Sequence, residues 1–246
     1  MTSTPIISST RDNSIWMHIP SSSSAHYPEY WSREQYVRLR DWVFARGGSL
    51  MYLGGNGIDC EIEFTGEATM RCKTWCPVPV GTPYVDPATG TRYDCRFHRT
   101  FQSPAELLGV VFSESGMATA APFRTASASH WIFAGTELRD RDIFGSHSLH
   151  ERCPGGASGH ETDKRTPDSP PDAQVLARGL NPDGGGAELV YHEPGAGAVF
   201  SVGSITWNAS VLVDQACSKI TRNVLEHMLK RKTRLDVSER SGVRLE

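Results

Sequence analysis

Residues 32–57 read SREQYVRLRDWVFARGGSLMYLGGNG, and this stretch sets the fold class. Ser32 with Gln35 three residues later is a capping box, in which hydroxyl and side-chain amide satisfy two orphan amides of a first helical turn. Tyr36, Leu39, Val43 and Phe44 recur at helical spacing with Trp42 alongside, which predicts a helix over 32–46. Gly47-Gly48 ends it, because glycine takes the left-handed backbone of a helix C-terminus without a Cβ clash. Leu50–Leu53 is a short apolar run of the kind found in strands buried on both faces. Gly54-Gly55-Asn56-Gly57 then breaks it. Helix, strand and glycine-rich turn make half of a parallel βαβ unit, so an α/β fold on a mainly parallel sheet is expected.

Downstream, Asp59–Phe64 and Thr69–Trp75 alternate around the turn-like Thr65-Gly66-Glu67-Ala68 and predict a hairpin. Residues 76–105 are rich in Pro and Gly and read as irregular. Leu107–Phe112 and Trp131–Phe133 read as strands. The polar segment 138–172 is long for a loop inside a domain, and such loops often carry function. Gln174–Ala177, Ala187–His192 and Ala198–Val202 read as three more strands. A helix is predicted over Val213–Arg231, with Cys217, Ile220, Val224, Leu225, Met228 and Leu229 as its apolar stripe. Upstream, the Ser/Thr-rich residues 1–25 are expected to be a disordered leader with few core contacts. Residues 232–246 read as a charged tail, leaving one domain over 26–231.

The chain has 246 residues with 38% hydrophobic and 22% charged content, enough to bury a core. Its net charge is −3 and its basic residues are scattered, so there is no footprint for a nucleic-acid backbone. The cluster Lys230–Arg234 complements the dipole at a helix C-terminus. No window approaches the roughly 20 apolar residues of a membrane span. The N-terminal stretch lacks the apolar run of a secretory signal, so a cytoplasmic location and reduced thiols are expected for its six cysteines. Cys72-x3-Cys76 followed by Cys95-x2-His98 is loosely like a zinc site, although the first pair ends a strand and the second spacing is unusual. His147-x2-His150-x2-Cys153 is a second cluster, in a loop. Ordinary structural roles outweigh metal binding for both.

Four motifs occur in order: His26-Tyr27-Pro28-Glu29-Tyr30-Trp31-Ser32, Met51–Gly57, Cys153-Pro154-Gly155-Gly156-Ala157-Ser158-Gly159-His160-Glu161-Thr162-Asp163, and Val199–Trp207. Together they resemble the C-terminal domain of the large (β) subunit of N,N-dimethylformamidase and its relatives, over about residues 26–230. The resemblance implies a three-layer α/β fold similar to class I glutamine amidotransferases. It implies hydrolysis of a small amide C–N bond, and a mononuclear iron held by two tyrosines and a glutamate. The sequence departs from that pattern at its start, where a Ser-rich leader stands in place of the family's first strands, as in a fragment. His26–Tyr30 also carries one extra residue, the Arg92-Tyr93-Asp94 region does not align, and the family's upstream tyrosine ligand is not identifiable.

Amide hydrolysis needs an activated water, an electrophile on the carbonyl oxygen and an acid for the leaving amine, and a Lewis-acid metal can supply the first two. By motif position the resemblance points to Tyr30 as a metal ligand; the competing reading is a tyrosine packed under the helix. Glu161, in a glycine-rich loop, is the candidate base or second metal ligand, with His160 and Asp163 beside it for acid–base work. The competing reading has Glu161 and Asp163 merely bracing the loop. Asn56 sits where open α/β sheets place ligands and is the candidate substrate-binding residue; otherwise it is a turn asparagine in a left-handed conformation. A glutaminase is excluded by local chemistry, since the turn that would need a cysteine carries Asn56. Two readings therefore stand: an amidohydrolase domain with iron and a small amide substrate, or a catalytically silent, truncated or divergent copy acting as a structural or binding module. In either, the incomplete sheet edge offers a surface for homo- or hetero-oligomers.

Overall fold

The structure, a computed structural model, describes residues 16–17, 29–66, 69–74 and 81–241. It is a mixed α/β arrangement of several sheets, most of them small, with few helices. In chain order, strands β1 (Trp16–Met17) and β2 (Tyr30–Trp31) precede helix α1 (Arg33–Arg46), followed by β3 (Ser49–Tyr52), β4 (Cys60–Gly66) and β5 (Thr69–Cys72). Next come β6 (Tyr84–Val85), β7 (Arg92–Tyr93), the short helices α2 (Phe97–Thr100) and α3 (Ala105–Leu108), β8 (Val111–Ser113), β9 (Ala120–Ala121) and β10 (Phe123–Thr125). The remainder is β11 (Ile143–Phe144), β12 (Ser158–Gly159), β13 (Thr162–Lys164), β14 (Gln174–Gly179), β15 (Glu188–His192), β16 (Ala198–Ser201), α4 (Trp207–Val211) and α5 (Gln215–Ser241).

The opening stretch folds as read. Ser32 accepts from the Gln35 amide and Gln35 Oε1 accepts from the Ser32 amide, closing the capping box, and Gly47 ends α1 with φ 72°. β3 enters a seven-stranded sheet ordered β1-β3-β16-β15-β14-β10-β11. The expectation of a mainly parallel sheet is corrected. β3 pairs parallel with β1 and with β16, but the other pairings in the sheet are antiparallel. The chain runs β14 to β15 to β16 without a crossover helix, and short connections of that kind can only join antiparallel neighbours.

Alternation along β3 and β16 divides the core. Leu50, Tyr52 and Val199 join Tyr36 and Val43 of α1, with Phe97, Leu107 and Leu108. Met51 and Phe200 face Cys217, Ile220, Val224 and Met228 of α5, together with Phe123 and Trp207. The predicted stripe of the last helix is therefore the buried one, although Leu229 is half exposed.

Other expectations change. Leu107–Phe112 is not one strand: Pro104 starts α3, Gly109 ends it with φ 77°, and β8 begins at Val111. Trp131–Phe133 is a 3₁₀ turn, with the His130 ring accepting from the Ile132 amide. A three-residue apolar run carries no period that separates strand from turn. Segment 138–172 holds β11, β12 and β13. Within the leader, Trp16 and Met17 pair parallel with Leu50 and Met51, so that part is a sheet strand; the rest of residues 1–25 lies outside the described residues. α5 runs through to Ser241, into the segment read as a tail. The hairpin of β4 and β5 forms as predicted and β2 joins it parallel, making a small second sheet beside the main one.

Candidate functional site

The turn after β3 and the loop around β13 meet at the C-terminal end of β3. Asn56 holds a left-handed backbone, φ 54°, which asparagine tolerates better than most residues. Its amide N–H donates to Asp163 Oδ1 at 2.7 Å and its side-chain Nδ2 donates to Glu161 Oε2 at 2.9 Å. Asn56 Oδ1 is buried without a hydrogen-bond partner among the described residues. A Cβ on Gly55 would run into the Glu161 carbonyl oxygen, so glycine there is what allows the two loops to touch. Three residues singled out in the sequence, Asn56, Glu161 and Asp163, are thus brought together.

Asp163 is fully buried, and both its oxygens are engaged. Tyr52 Oη donates to its Oδ2 at 2.7 Å while accepting from the Gly57 amide at 2.7 Å. Burial, with the Glu161 charge adding to it, pushes the Asp163 carboxyl up to about 7, against the pull of the Tyr52 and Asn56 hydrogen bonds. Asp163 therefore locks Tyr52 and the Asn56 turn to the β13 loop. His160, next in the loop, has φ 63° and is held by backbone bonds to Ala118 and Thr119. Its ring lies 5.4 Å from that of His150.

Tyr30 sits on β2 opposite Cys60, with 41% of its surface exposed. Burial and then the Glu29 charge raise its phenol well above the usual tyrosine range, and Glu29 also hydrogen-bonds it. The further charges acting on it are those of Cys60 and Cys72. Glu29 is the link between the two regions. Its carboxyl is raised by burial and by the Glu161 charge, and its Oε1 accepts from Cys60 Sγ at 3.5 Å. Arg96 supplies the compensating cation. It pairs with buried Asp59 and lies over the Phe112 ring, 5.3 Å from its centre, and Glu29 and Glu161 both act on it.

Glu29, Tyr52, Asp59 and Arg96 were not singled out in the sequence. Glu29 and Tyr52 lie inside the quoted motifs, so the signal was position in a motif rather than residue type. Asp59 and Arg96 carried none. The predicted cysteine set is rearranged: Cys72 and Cys95 meet, but with Cys60. Cys76 lies outside the described residues, and the His98 ring packs beside the Arg99 guanidinium at 3.4 Å. In the second cluster, His150 Nδ1 accepts from the Cys153 amide. No metal-type grouping of His147, His150 and Cys153 occurs among the described residues.

At the Asn56 turn the Glu161 carboxylate and the Asn56 amide oxygen are hard oxygen donors of the kind that suit oxygen-ligated metal ions, and the Glu29 and Glu161 charges act on each other. No helix of the described residues is long and apolar enough to cross a membrane. Residues 22–219 match the family model described as N,N-dimethylformamidase beta subunit-like, C-terminal. No curated protein matches the chain.

Proposed function

Since the chain belongs to the N,N-dimethylformamidase beta subunit-like, C-terminal family, we propose that it hydrolyses a small non-peptide amide C–N bond at the Asn56 turn. The observation that carries this is the Asn56 Nδ2 to Glu161 Oε2 bond at 2.9 Å, which fixes a carboxylate at the end of a central strand. Ligands of open α/β sheets bind in that position. The fold reading that goes with it is a three-layer, glutamine amidotransferase-like one, supported by α1 and α5 packing on opposite faces of β3 and β16.

Tyr30 and Glu161 would hold the iron, and Glu29, which hydrogen-bonds Tyr30, feels the Glu161 charge. When bound, the ion would polarise the amide carbonyl and acidify the attacking water. Asn56 orients Glu161 through Nδ2 and offers Oδ1 as an acceptor to that water. Glu161 and His160, adjacent in the loop, take the water proton and return one to the departing nitrogen, so that an amide and water become a carboxylate and an amine. Asp163 acts on this chemistry through Tyr52 and the Asn56 turn, since both its oxygens are occupied. Arg96 moderates the repulsion between Glu29 and Glu161.

The test is release of formate or another carboxylate, with amine, from a panel of small formamides and acetamides by the full chain expressed with added iron. Glu161→Gln should lower the rate by about 10²–10⁴-fold. Tyr30→Phe should lose iron while leaving folding unchanged. An iron-free protein inactive on the whole panel would sink the proposal and leave the silent structural or binding module.

A further inference from the structure

Three thiols from three separate chain segments meet beside the candidate site. Cys60 opens β4, Cys72 closes β5, and Cys95 precedes α2. Their sulfurs lie within 4.8 Å of one another. Cys60 and Cys95 are almost fully buried, Cys72 is partly exposed, and none of the three is in a disulfide. Two thiolates held about 2.3 Å from one tetrahedral ion stand about 3.8 Å apart, so this spacing suits a shared ion. The Cys60 and Cys95 sulfurs, at 3.0 Å, are closer than that and would move apart slightly around one.

A fourth donor stands next to them. Glu29, Asp59 and Cys60 form a second group with ligand atoms within 4.8 Å of one another. Asp59 is already paired with the Arg96 guanidinium. Glu29 Oε1 lies 3.5 Å from Cys60 Sγ, while Tyr30 hydrogen-bonds the carboxylate and the Arg96 charge acts on it. Three soft sulfurs and one carboxylate oxygen make a donor set for zinc, and the sulfurs set it apart from the all-oxygen set at the Asn56 turn.

The surroundings show what such an ion would do. The β4–β5 hairpin is buried at Cys60 and Ile62, but its outer half is open, with Phe64 and Met70 more than half exposed. Its inner end is tied to neighbouring segments by backbone bonds, the Cys60 amide to the Glu29 carbonyl at 2.8 Å and the Glu61 amide to the Cys95 carbonyl at 2.6 Å, and by the two-bond Arg33–Glu61 ion pair. An ion on Cys60, Cys72, Cys95 and Glu29 would clamp both hairpin strands to β2 and to the segment before α2.

We propose that Cys60, Cys72 and Cys95, with Glu29 as fourth ligand, form a structural zinc site that staples the hairpin to the main body. Each thiol gives up its proton on binding, with no change in oxidation state.

The experiment uses the reduced full chain, with zinc content measured as isolated and cobalt(II) titrated into metal-free protein. One ion per chain is expected, with sulfur-to-cobalt charge-transfer absorption and the intense visible bands of a tetrahedral ion. Cys72→Ser, partly exposed and therefore tolerant, should keep the fold and lose stoichiometric zinc and one thiolate's share of the charge-transfer band. Glu29→Gln should weaken binding while retaining that band. Glu161→Gln, which disables the proposed iron site, should leave the cobalt spectrum unchanged, so failure of one site is read separately from failure of the other. The proposal is overturned by a protein that takes up no cobalt on sulfur, by Cys72→Ser binding like the wild type, or by peptide mapping that finds a Cys60–Cys95 disulfide in freshly alkylated protein.

Discussion

Tyr52 connects two loops through one oxygen, accepting from Gly57 and donating to an acid 111 positions away. Tyr52→Phe keeps the ring and removes both bonds, leaving a buried carboxylate oxygen and a buried amide short of a partner. The expected cost is about 1–3 kcal/mol, read as a lower urea midpoint at unchanged slope. An unchanged midpoint would mean that water replaces the hydroxyl and that the lock is not structural. His192 gives a pH signature. Its ring is buried, its Nε2 lies 3.1 Å from the Leu107 carbonyl oxygen, and burial lowers its pKa from the ordinary 6.5. Of the charges nearby, Asp172 opposes that shift and Arg165 adds to it. Below pH 6.5 the unfolded chain therefore binds a proton that the folded chain refuses. Stability falls with falling pH, by about 1.4 kcal/mol per pH unit for one such proton. His192→Gln keeps an N–H for Leu107 and cannot be protonated, so the fall should be shallower in chemical denaturation measured from pH 7 down to 5. Identical slopes would assign the effect to the other histidines lowered by burial, His98, His130 and His150. At this scale the sequence disclosed Asn56, Glu161 and Asp163 because glycines around them announce close backbone approach. Tyr52 and Arg96 were silent because their partners lie far along the chain and no local spacing encodes them.

Elements with a strong local code were legible. α1 carries its own start and stop, and Ser32→Ala should remove the capping bond to the Gln35 amide and cost about 1 kcal/mol. A thermal or urea melt would show it, and a loss near zero would mean that packing of Tyr36 and Val43 alone sets the helix start. The hairpin and the three strands after residue 173 were equally readable, from alternation and from apolar runs bounded by glycine and proline. Strand direction was not. The helix–strand–turn pattern of residues 32–57 does yield a parallel strand, β3, but most of the sheet comes from strands joined without helices. Short elements failed for a different reason. Ile132–Phe133 and Leu107–Leu108 are apolar because they are buried, and burial leaves no period in so few residues. The pairing of Trp16–Met17 was invisible because two residues in a Ser/Thr-rich stretch carry no pattern; the edge position alongside β3 gives them their structure.

At the scale of the whole molecule, β3 and β16 belong to two cores at once. Val199 packs toward α1 and Phe200 toward α5, though they are neighbours on one strand. The site depends on this arrangement, because the Asn56 turn leaves the end of β3 and the Glu161 loop is bridged to the end of β16 through Thr162 and Ser204. If the two faces were separate units, loosening one would leave the other protected. If the shared strands couple them, loosening either face must lower protection on both. Phe200→Ala should destabilise by about 3–5 kcal/mol, because its fully buried ring leaves a cavity that close-packed neighbours fill only in part. Val199→Ala removes less volume and should cost less. The decisive readout is native-state hydrogen exchange at slowly exchanging amides of α1, around Val43, and of α5, around Val224. In each variant both helices should lose the same exchange free energy, equal to the loss in global stability, as amides do when they exchange only through a shared opening. A Phe200→Ala protein in which α5 loses protection and α1 keeps it would show two independent cores. The Asn56–Glu161 contact would then span a mobile boundary rather than sit on a single rigid sheet.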